Sequence, residues 1–155
     1  MSHENNDEKM EPRVYRQKFR AKQHEETRQR IVESAVELHE SIGGEQTTVT
    51  KIADRAGVSR ITVYRHFPDE QSLLQACTQH YLGANPPPAP SSWMSFTEGK
   101  ERLRAALTEI YGYHRRTERM MDRAFADSVS NEILAGLLQP YFDFWGHVRD
   151  TLAAA

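Results

Sequence analysis

The 155-residue chain has one cysteine, Cys77, and no apolar run near the roughly 20 residues that a membrane-spanning helix needs. A single thiol excludes an intramolecular disulfide framework and a cysteine-rich zinc site, and it is typical of a reducing compartment. Cys77 falls on an apolar helical stripe, where it is expected to act as a small hydrophobic residue. The polar N-terminal residues do not have the pattern of a signal peptide. We therefore expect a cytoplasmic protein.

Catalytic motifs are also missing. The sequence has no G-x-S-x-G, no H-E-x-x-H and no glycine-rich phosphate loop. Its seven histidines do not have the spacing of metal ligands. We therefore expect no enzymatic activity, no catalytic residues, no metal site and no cofactor.

The segment from Thr47 to Leu74 has the pattern of a helix-turn-helix. Ile52 and Ala56 lie on one face of a first helix, and Gly57 provides the permissive backbone that a tight turn requires. Ser59 is a good N-cap for the second helix, and Thr47 or Thr48 for the first.

The second helix of this segment has an unusual outer face. Val63 and Phe67, at i and i+4, are its predicted buried side. No acidic residue lies between Gly57 and Pro68, whereas ordinary surface helices carry both Glu and Lys. The cations and hydroxyl groups on this face suit phosphates and base edges. The alternative is a pair of helices with only a packing role, and such a pair would tolerate any exposed residues on this outer face.

The run IADRAGVSRITVYRHFPDEQSLL resembles the signature of the TetR family of bacterial transcriptional regulators, with the strong part of the resemblance over residues 24–84. The resemblance implies an all-α protein. In it, an N-terminal three-helix helix-turn-helix domain joins through helix four to a helical ligand-binding and dimerisation domain. One position departs from the pattern: Glu70 stands near the start of helix four, where Lys or Arg is usual.

The resemblance also implies partners and a mechanism. We expect a homodimer that binds a palindromic double-stranded DNA operator and is a repressor released by a small apolar effector. The alternative is a DNA-binding protein of the same fold that answers to a protein partner or acts architecturally, without a small-molecule ligand.

The candidate DNA-binding residues have three predicted roles. Arg60 is expected to pair with guanine, and the methyl groups of Ile61 to pack on a thymine methyl. Hydroxyl, phenol and imidazole groups are expected to position the protein on phosphates. The full set is Thr48, Thr50, Ser59, Arg60, Ile61, Thr62, Tyr64, Arg65 and His66.

A net positive charge is confined to one part of the chain, although the formal net charge of the whole is −2. Residues 11–66 contain 11 Lys and Arg against 8 Asp and Glu, and residues 67–155 contain 8 against 11. Such asymmetry is typical of an electrostatic DNA footprint on one module and a different function on the other.

Four segments are predicted. Residues 1–22 form a disordered or basic N-terminal arm, either a DNA-following arm or a solvated tail. Residues 23–82 form the DNA-binding domain, with its motif at about 47–66. Residues 83–94 form a proline-rich linker that holds the two halves apart. Residues 95–155 form a helical regulatory domain, which the resemblance implies is incomplete because the family usually continues for two more helices.

The regulatory half is predicted to contain three helices. Ser95 and Glu98 form a capping box at the start of the first, a break follows at residues 115–118, and Pro140 kinks or restarts the last. Aromatic and Met side chains at helical spacing are typical of plain core, but the family resemblance favours a pocket. The predicted effector residues are Tyr111, His114, Met121, Phe125, Phe144 and Trp145.

Overall fold

The computed structural model describes residues 11–154, and the helices in this range confirm the predicted all-α fold class. The six α-helices are α1 (Glu11–Ile42), α2 (Val49–Ala56), α3 (Arg60–His66), α4 (Glu70–Ala84), α5 (Gly99–Ser128) and α6 (Glu132–Ala153). A 3-10 turn at Pro90–Ser92 lies between α4 and α5. None of the helices in the described range combines the length and apolar character that crossing a membrane requires.

Helix α1 includes much of the predicted N-terminal arm. It begins at Glu11, so residues 11–22 are helical, and residues 1–10 lie outside the described residues. Every side chain from Val14 to Glu26 is exposed. The first turns of α1 therefore form a solvent-exposed, basic helical extension of the DNA-binding domain. The helix ends at Ile42, and the next residue, Gly43, has a φ of 84° in the left-handed region.

The three N-terminal helices pack around one apolar centre. Ile31 of α1, Ile52 of α2 and Val63 of α3 are almost completely buried against one another. Gly57 turns the chain between α2 and α3 with φ 66° and ψ 38°, a conformation that side chains with a Cβ rarely adopt. These features confirm the predicted helix-turn-helix.

Helix α5 is continuous over 30 residues, and the predicted break at residues 115–118 is wrong. This stretch contains no Gly or Pro, and Thr117 is buried with its Oγ1 donating to the Tyr113 carbonyl at 3.0 Å. A back-bonded threonine satisfies its own hydroxyl inside a helix, so the helix has no reason to end there.

The predicted ends and interruptions of the other C-terminal helices need correction too. Ser95 does not cap α5, because its Oγ donates to the Ser92 carbonyl at 3.0 Å and Glu98 is the N-cap residue without a side-chain hydrogen bond. Pro140 does not restart the last helix, because α6 runs from Glu132 to Ala153 with Pro140 inside it. A proline removes one backbone hydrogen bond, and packing along the rest of a long helix offsets this loss.

The proline-rich segment does not hold the two halves apart. Trp93 is completely buried, and its Nε1 donates to Glu109 at 2.9 Å, so the segment folds back onto α5. A single apolar cluster includes buried residues of all six helices. Prolines prevent a helix here, but burial of the large Trp93 side chain favours a packed loop over an extended spacer.

Three polar contacts also join the two halves. The Gly44 amide donates to Asp127 Oδ2 at 2.8 Å, and Arg123 donates to the Ser41 carbonyl at 3.0 Å. Asn131 Nδ2 donates to Glu70 Oε1 at 2.8 Å. The predicted DNA-binding and regulatory parts are therefore packed directly on each other.

Candidate DNA-binding surface

Helix α3 is held by the buried side chains of Val63 and of Phe67, the residue that caps its C-terminal end, and it presents the opposite face to solvent. Val63 is 1% exposed and Phe67 is 3% exposed, as predicted. Arg60 and Arg65 are exposed and take part in no salt bridge with another described residue. The helix therefore offers two cations to solvent on a rigidly packed element.

The exposed face of α3 also includes two large side chains. Ile61 is 73% exposed and Tyr64 is 55% exposed. Exposure of an isoleucine to this degree has no packing benefit, so it is compatible with the predicted contact to a thymine methyl.

The hydroxyl groups predicted to contact phosphates are placed at the helix starts. Thr48 is the N-cap of α2 and its Oγ1 accepts from the Lys51 amide at 3.3 Å. Ser59 is the N-cap of α3; its Oγ accepts from the Thr62 amide at 3.1 Å and lies 2.9 Å from Thr62 Oγ1. Thr50 is exposed. The predicted caps at Thr48 and Ser59 are thus confirmed, and a phosphate would share these oxygens with the backbone.

His66 lies apart from the other candidates. Its ring centre is 4.1 Å from that of His24, and it is half-buried against α1. Burial, followed by the nearby His24, Arg28 and Arg65 charges, lowers the pKa of His66. A neutral imidazole facing α1 is a poorer phosphate ligand than the cations of the exposed face.

An acidic pair borders this surface where α4 begins. Asp69 caps α4 by accepting from the Ser72 amide at 2.7 Å, and its hydrogen bonds with Ser72 lower the pKa of Asp69. Glu70 follows and is exposed while bonded to Asn131. Both carboxylates repel a phosphate backbone that approaches the C-terminal end of α3.

The structure does not gather the six predicted effector residues into one pocket. Tyr111, His114, Met121 and Phe125 lie along an open groove of about 770 Å³ on the outer side of α5, and Tyr111 is 72% exposed. Phe144 instead packs on the cluster around Trp93. Trp145 joins both clusters, with its ring centre 4.7 Å from that of His114.

A second cavity, of about 500 Å³, lies between the two halves of the molecule. Among the six predicted effector residues, only Met121 lines it. Sequence reasoning missed this cavity because its walls come from all six helices, and their faces meet only in the tertiary structure. Short apolar patterns predict which residues are buried but not where the packing leaves a space.

Comparisons with known proteins agree with this geometry. Residues 31–77 match the family described as Bacterial regulatory proteins, tetR family. Over 52 residues, 34% of this chain and 24% of the relative, the chain is 46% identical to the HTH-type transcriptional regulator SrpR of Pseudomonas putida. Over 82 residues, 50% of this chain and 38% of the relative, it is 33% identical to the tetracycline repressor protein class A of Escherichia coli.

A third similarity extends further along the chain. The nucleoid occlusion factor SlmA of Haemophilus influenzae is 24% identical over 110 residues, which are 70% of this chain and 50% of that protein. In all three comparisons the matched part covers half or less of the relative's length. The match over residues 31–77, together with the helix-turn-helix described above, shows that this part of the chain is a DNA-binding domain of the TetR family.

Proposed function

We propose that this protein is a DNA-binding transcriptional regulator that reads the major groove with α3. The observation that carries the proposal is the division of α3 into a buried side, Val63 and Phe67, and an exposed side with Arg60, Ile61 and Arg65. A helix fixed in this way can place several side chains on base edges at once. The cytoplasm is the compartment in which such a bacterial regulator meets its DNA.

The proposed form on DNA is a homodimer on a palindromic operator. One helix-turn-helix reads a half-site, and two-fold symmetry places two recognition helices about 34 to 36 Å apart, one turn of DNA. A single copy contacts few bases, so the affinity for a complete operator depends on both copies.

We further propose that the protein is a repressor released by a small, mostly apolar effector. The similarity to a protein named as a tetracycline repressor supports this interpretation. The shared core of the two halves gives a route for coupling, because a ligand that alters the packing of α5 or α6 also alters the helices under α3. A coupling of about 1 to 3 kcal/mol corresponds to a 5- to 150-fold change in DNA affinity.

The second candidate is a DNA-binding protein of the same fold that answers to a protein partner or acts architecturally. Its support is the similarity to the nucleoid occlusion factor, which extends over more of this chain than the other two comparisons do. In this case no small molecule alters DNA affinity.

The experiment is a selection from a randomised DNA duplex library with the full chain, followed by titration of the recovered duplex. A recovered palindromic site with affinity at least ~1000-fold above random duplex supports sequence-specific regulation. Equal affinity for the recovered and random duplexes contradicts it. Ligands found by screening must then bind less tightly in the presence of saturating operator, because thermodynamic coupling is reciprocal. Equal ligand affinity with and without operator favours the second candidate.

A further inference from the structure

The cavity between the two halves has an apolar floor. Buried side chains from the DNA-binding part, such as Ile52, Val63 and Phe67, face Met121 and Leu138 from the regulatory part. Its volume of about 500 Å³ falls in the usual range of small-molecule sites, about 300 to 1,000 Å³. The cavity is therefore large enough for an organic molecule and favours an apolar body.

The solvent end of the same cavity is acidic. Four carboxylates line it, those of Glu45, Asp69, Glu70 and Asp127, and among the described residues only Arg123 adds a guanidinium to the lining. Three of the four acids are exposed and Asp127 is half-buried, whereas the apolar floor is buried. An apolar interior with an acidic mouth fits a molecule that has an apolar body and one positive end.

We propose that this cavity binds a lipophilic organic cation, an amine or quaternary ammonium compound with an aromatic or aliphatic body. The proposal rests on the proposed function, since it assigns the chemical class and the site of the effector. It differs from the sequence prediction in both respects: the site lies between the two halves, and the ligand carries a charge.

The excess of carboxylates selects against other ligands. An anion at the mouth meets four like charges against one opposite charge, and it also loses its own hydration. A neutral molecule gains only the apolar contacts of the floor. A cation gains both those contacts and the attraction of the carboxylates.

Occupation of this cavity acts directly on the DNA-binding part. The buried side chains of α3, Val63 and Phe67, are part of its wall, so a ligand touches the recognition helix from behind. The carboxylates of Glu70 and Asp127 also form the contacts with Asn131 and Gly44 that join the halves. A cation competes for these oxygens, and binding therefore weakens the contacts that fix the orientation of α3.

The test is isothermal titration calorimetry of the full chain, without DNA, with three probes that share one apolar body. These are (biphenyl-4-ylmethyl)trimethylammonium, biphenyl-4-ylmethanol and biphenyl-4-carboxylate. We expect the cation to bind roughly tenfold more tightly than the neutral alcohol, as one charge contact near a protein surface provides, and the carboxylate to bind least.

Isosteric variants test the role of the charges. Glu70→Gln and Asp127→Asn keep an oxygen that can accept from Asn131 and Gly44, so the fold is retained while the charge is removed. We expect the double variant to lose most of the preference for the cation and to retain its affinity for the alcohol. An unchanged preference overturns the assignment of the carboxylates.

Two further variants test the location. Leu134→Trp, at a half-buried residue of the cavity wall, should abolish binding of all three probes, whereas Tyr111→Ala in the outer groove should leave it unchanged. The reverse pattern overturns the cavity as the site. Circular dichroism of each variant verifies that it is folded.

A separate measurement addresses the proposed function. The cation is added to the complex with the selected duplex, and DNA release is followed by fluorescence anisotropy. If the cation binds tightly but does not release the DNA, the cavity remains a cation site and the proposed release of the repressor by an effector (the inducer mechanism) is contradicted. Release by the cation, with equal binding of all three probes in calorimetry, retains the inducer mechanism and overturns the preference for a cation.

Discussion

Glu70 accepts a hydrogen bond from Asn131 across 61 positions of the sequence, with 2.8 Å between Oε1 and Nδ2. Asn131 is also the N-cap of α6, since its Oδ1 accepts from the Leu134 amide at 2.9 Å. One amide side chain therefore caps the start of α6 and bonds to the beginning of α4, just after α3 ends. Glu70, the residue that departs from the TetR family pattern, is thus hydrogen-bonded to a residue of the C-terminal half.

Replacement of Glu70 by Lys is expected to strengthen DNA binding. The change removes a charge that repels phosphate and adds one that can pair with it. One additional neutralised phosphate steepens the dependence of log affinity on log salt by about 0.9. Anisotropy titrations of the selected duplex at several salt concentrations measure this slope. Glu70→Gln removes only the charge, and Asn131→Ser removes the amide donor to Glu70 while it keeps an oxygen that can cap α6. If Glu70→Lys and Asn131→Ser weaken binding equally, the hydrogen bond matters more than the charge and the prediction is wrong.

Arg60→Ala is expected to cost about 1 to 3 kcal/mol of binding to the selected site and to relax the preference at one base position. Arg60 opens α3, is exposed and forms no salt bridge with another described residue, so its guanidinium is available to a guanine. A repeated selection with the variant measures the preference. Arg55→Ala is the matched control, because the Arg55 Nε is held 2.6 Å from Glu37 Oε2. A preference that is identical in the Arg60 variant and the original protein excludes the proposed base contact.

The helical extension of α1 is expected to contribute to the salt dependence of DNA binding. Arg16, Lys18 and Arg20 are exposed in its first turns. Replacing all three by Gln should flatten the salt slope by up to about 2.7, since each phosphate that is no longer neutralised accounts for about 0.9, and base preference should change little. Lys22→Gln serves as a comparison, because Lys22 lies 3.7 Å from Glu26. An unchanged slope would show that the extension is a solvated tail, the alternative that the sequence left open.

Gly57→Ala is expected to lower the free energy of unfolding by about 1 to 2 kcal/mol, the cost of a left-handed conformation for a residue with a Cβ. The cause is the backbone alone, because a Cβ built at Gly57 meets nothing within 4 Å. Gly57→Asn should cost less, since Asn tolerates this region. Urea denaturation measures the change. Gly83→Ala in α4 is the control: its Cβ also meets nothing within 4 Å, and the substitution should be neutral or stabilising. Equal effects at both glycines contradict the conformational cause.

Stability is expected to fall as the pH drops below about 6.5, the ordinary histidine pKa. Burial lowers the pKa of His39, against the opposing effect of Asp127, and burial also lowers the pKa of His66 and of His114. The unfolded chain therefore takes up protons first, and acid favours unfolding. Melting temperatures between pH 7.5 and 5.5 measure the effect.

The histidine variants identify the source of this acid sensitivity. His39→Gln should make the melting temperature less dependent on pH. In a chain of this size, each kcal/mol of stability that no longer changes with pH corresponds to about 2 to 4 °C in melting temperature. His147→Gln, at an exposed position, should leave the dependence unchanged. Equal pH dependence in the His39 variant and the original protein assigns the effect to the other two histidines.

The sequence alone is enough to predict the helix-turn-helix. Ile52, Gly57, Ser59 and Val63 perform their roles within a few residues of one another, and local spacing, capping and turn chemistry do not depend on the rest of the fold. The apolar spacing that places Cys77 on a helical stripe likewise predicted its burial, and this burial raises the pKa of the Cys77 thiol to about 12.

The way in which the two halves meet depends instead on contacts between residues that are distant in the chain. A capping pattern at Ser95 predicted a helix start, but Ser95 instead donates to the Ser92 carbonyl. Pro140 predicted a kink or a restart, and α6 continues through it because burial along the helix outweighs one missing hydrogen bond. Trp93 folded the proline-rich segment onto α5. The cavity and its acidic mouth arise from residues that are distant in the chain, and no periodic pattern encodes the space between six helices.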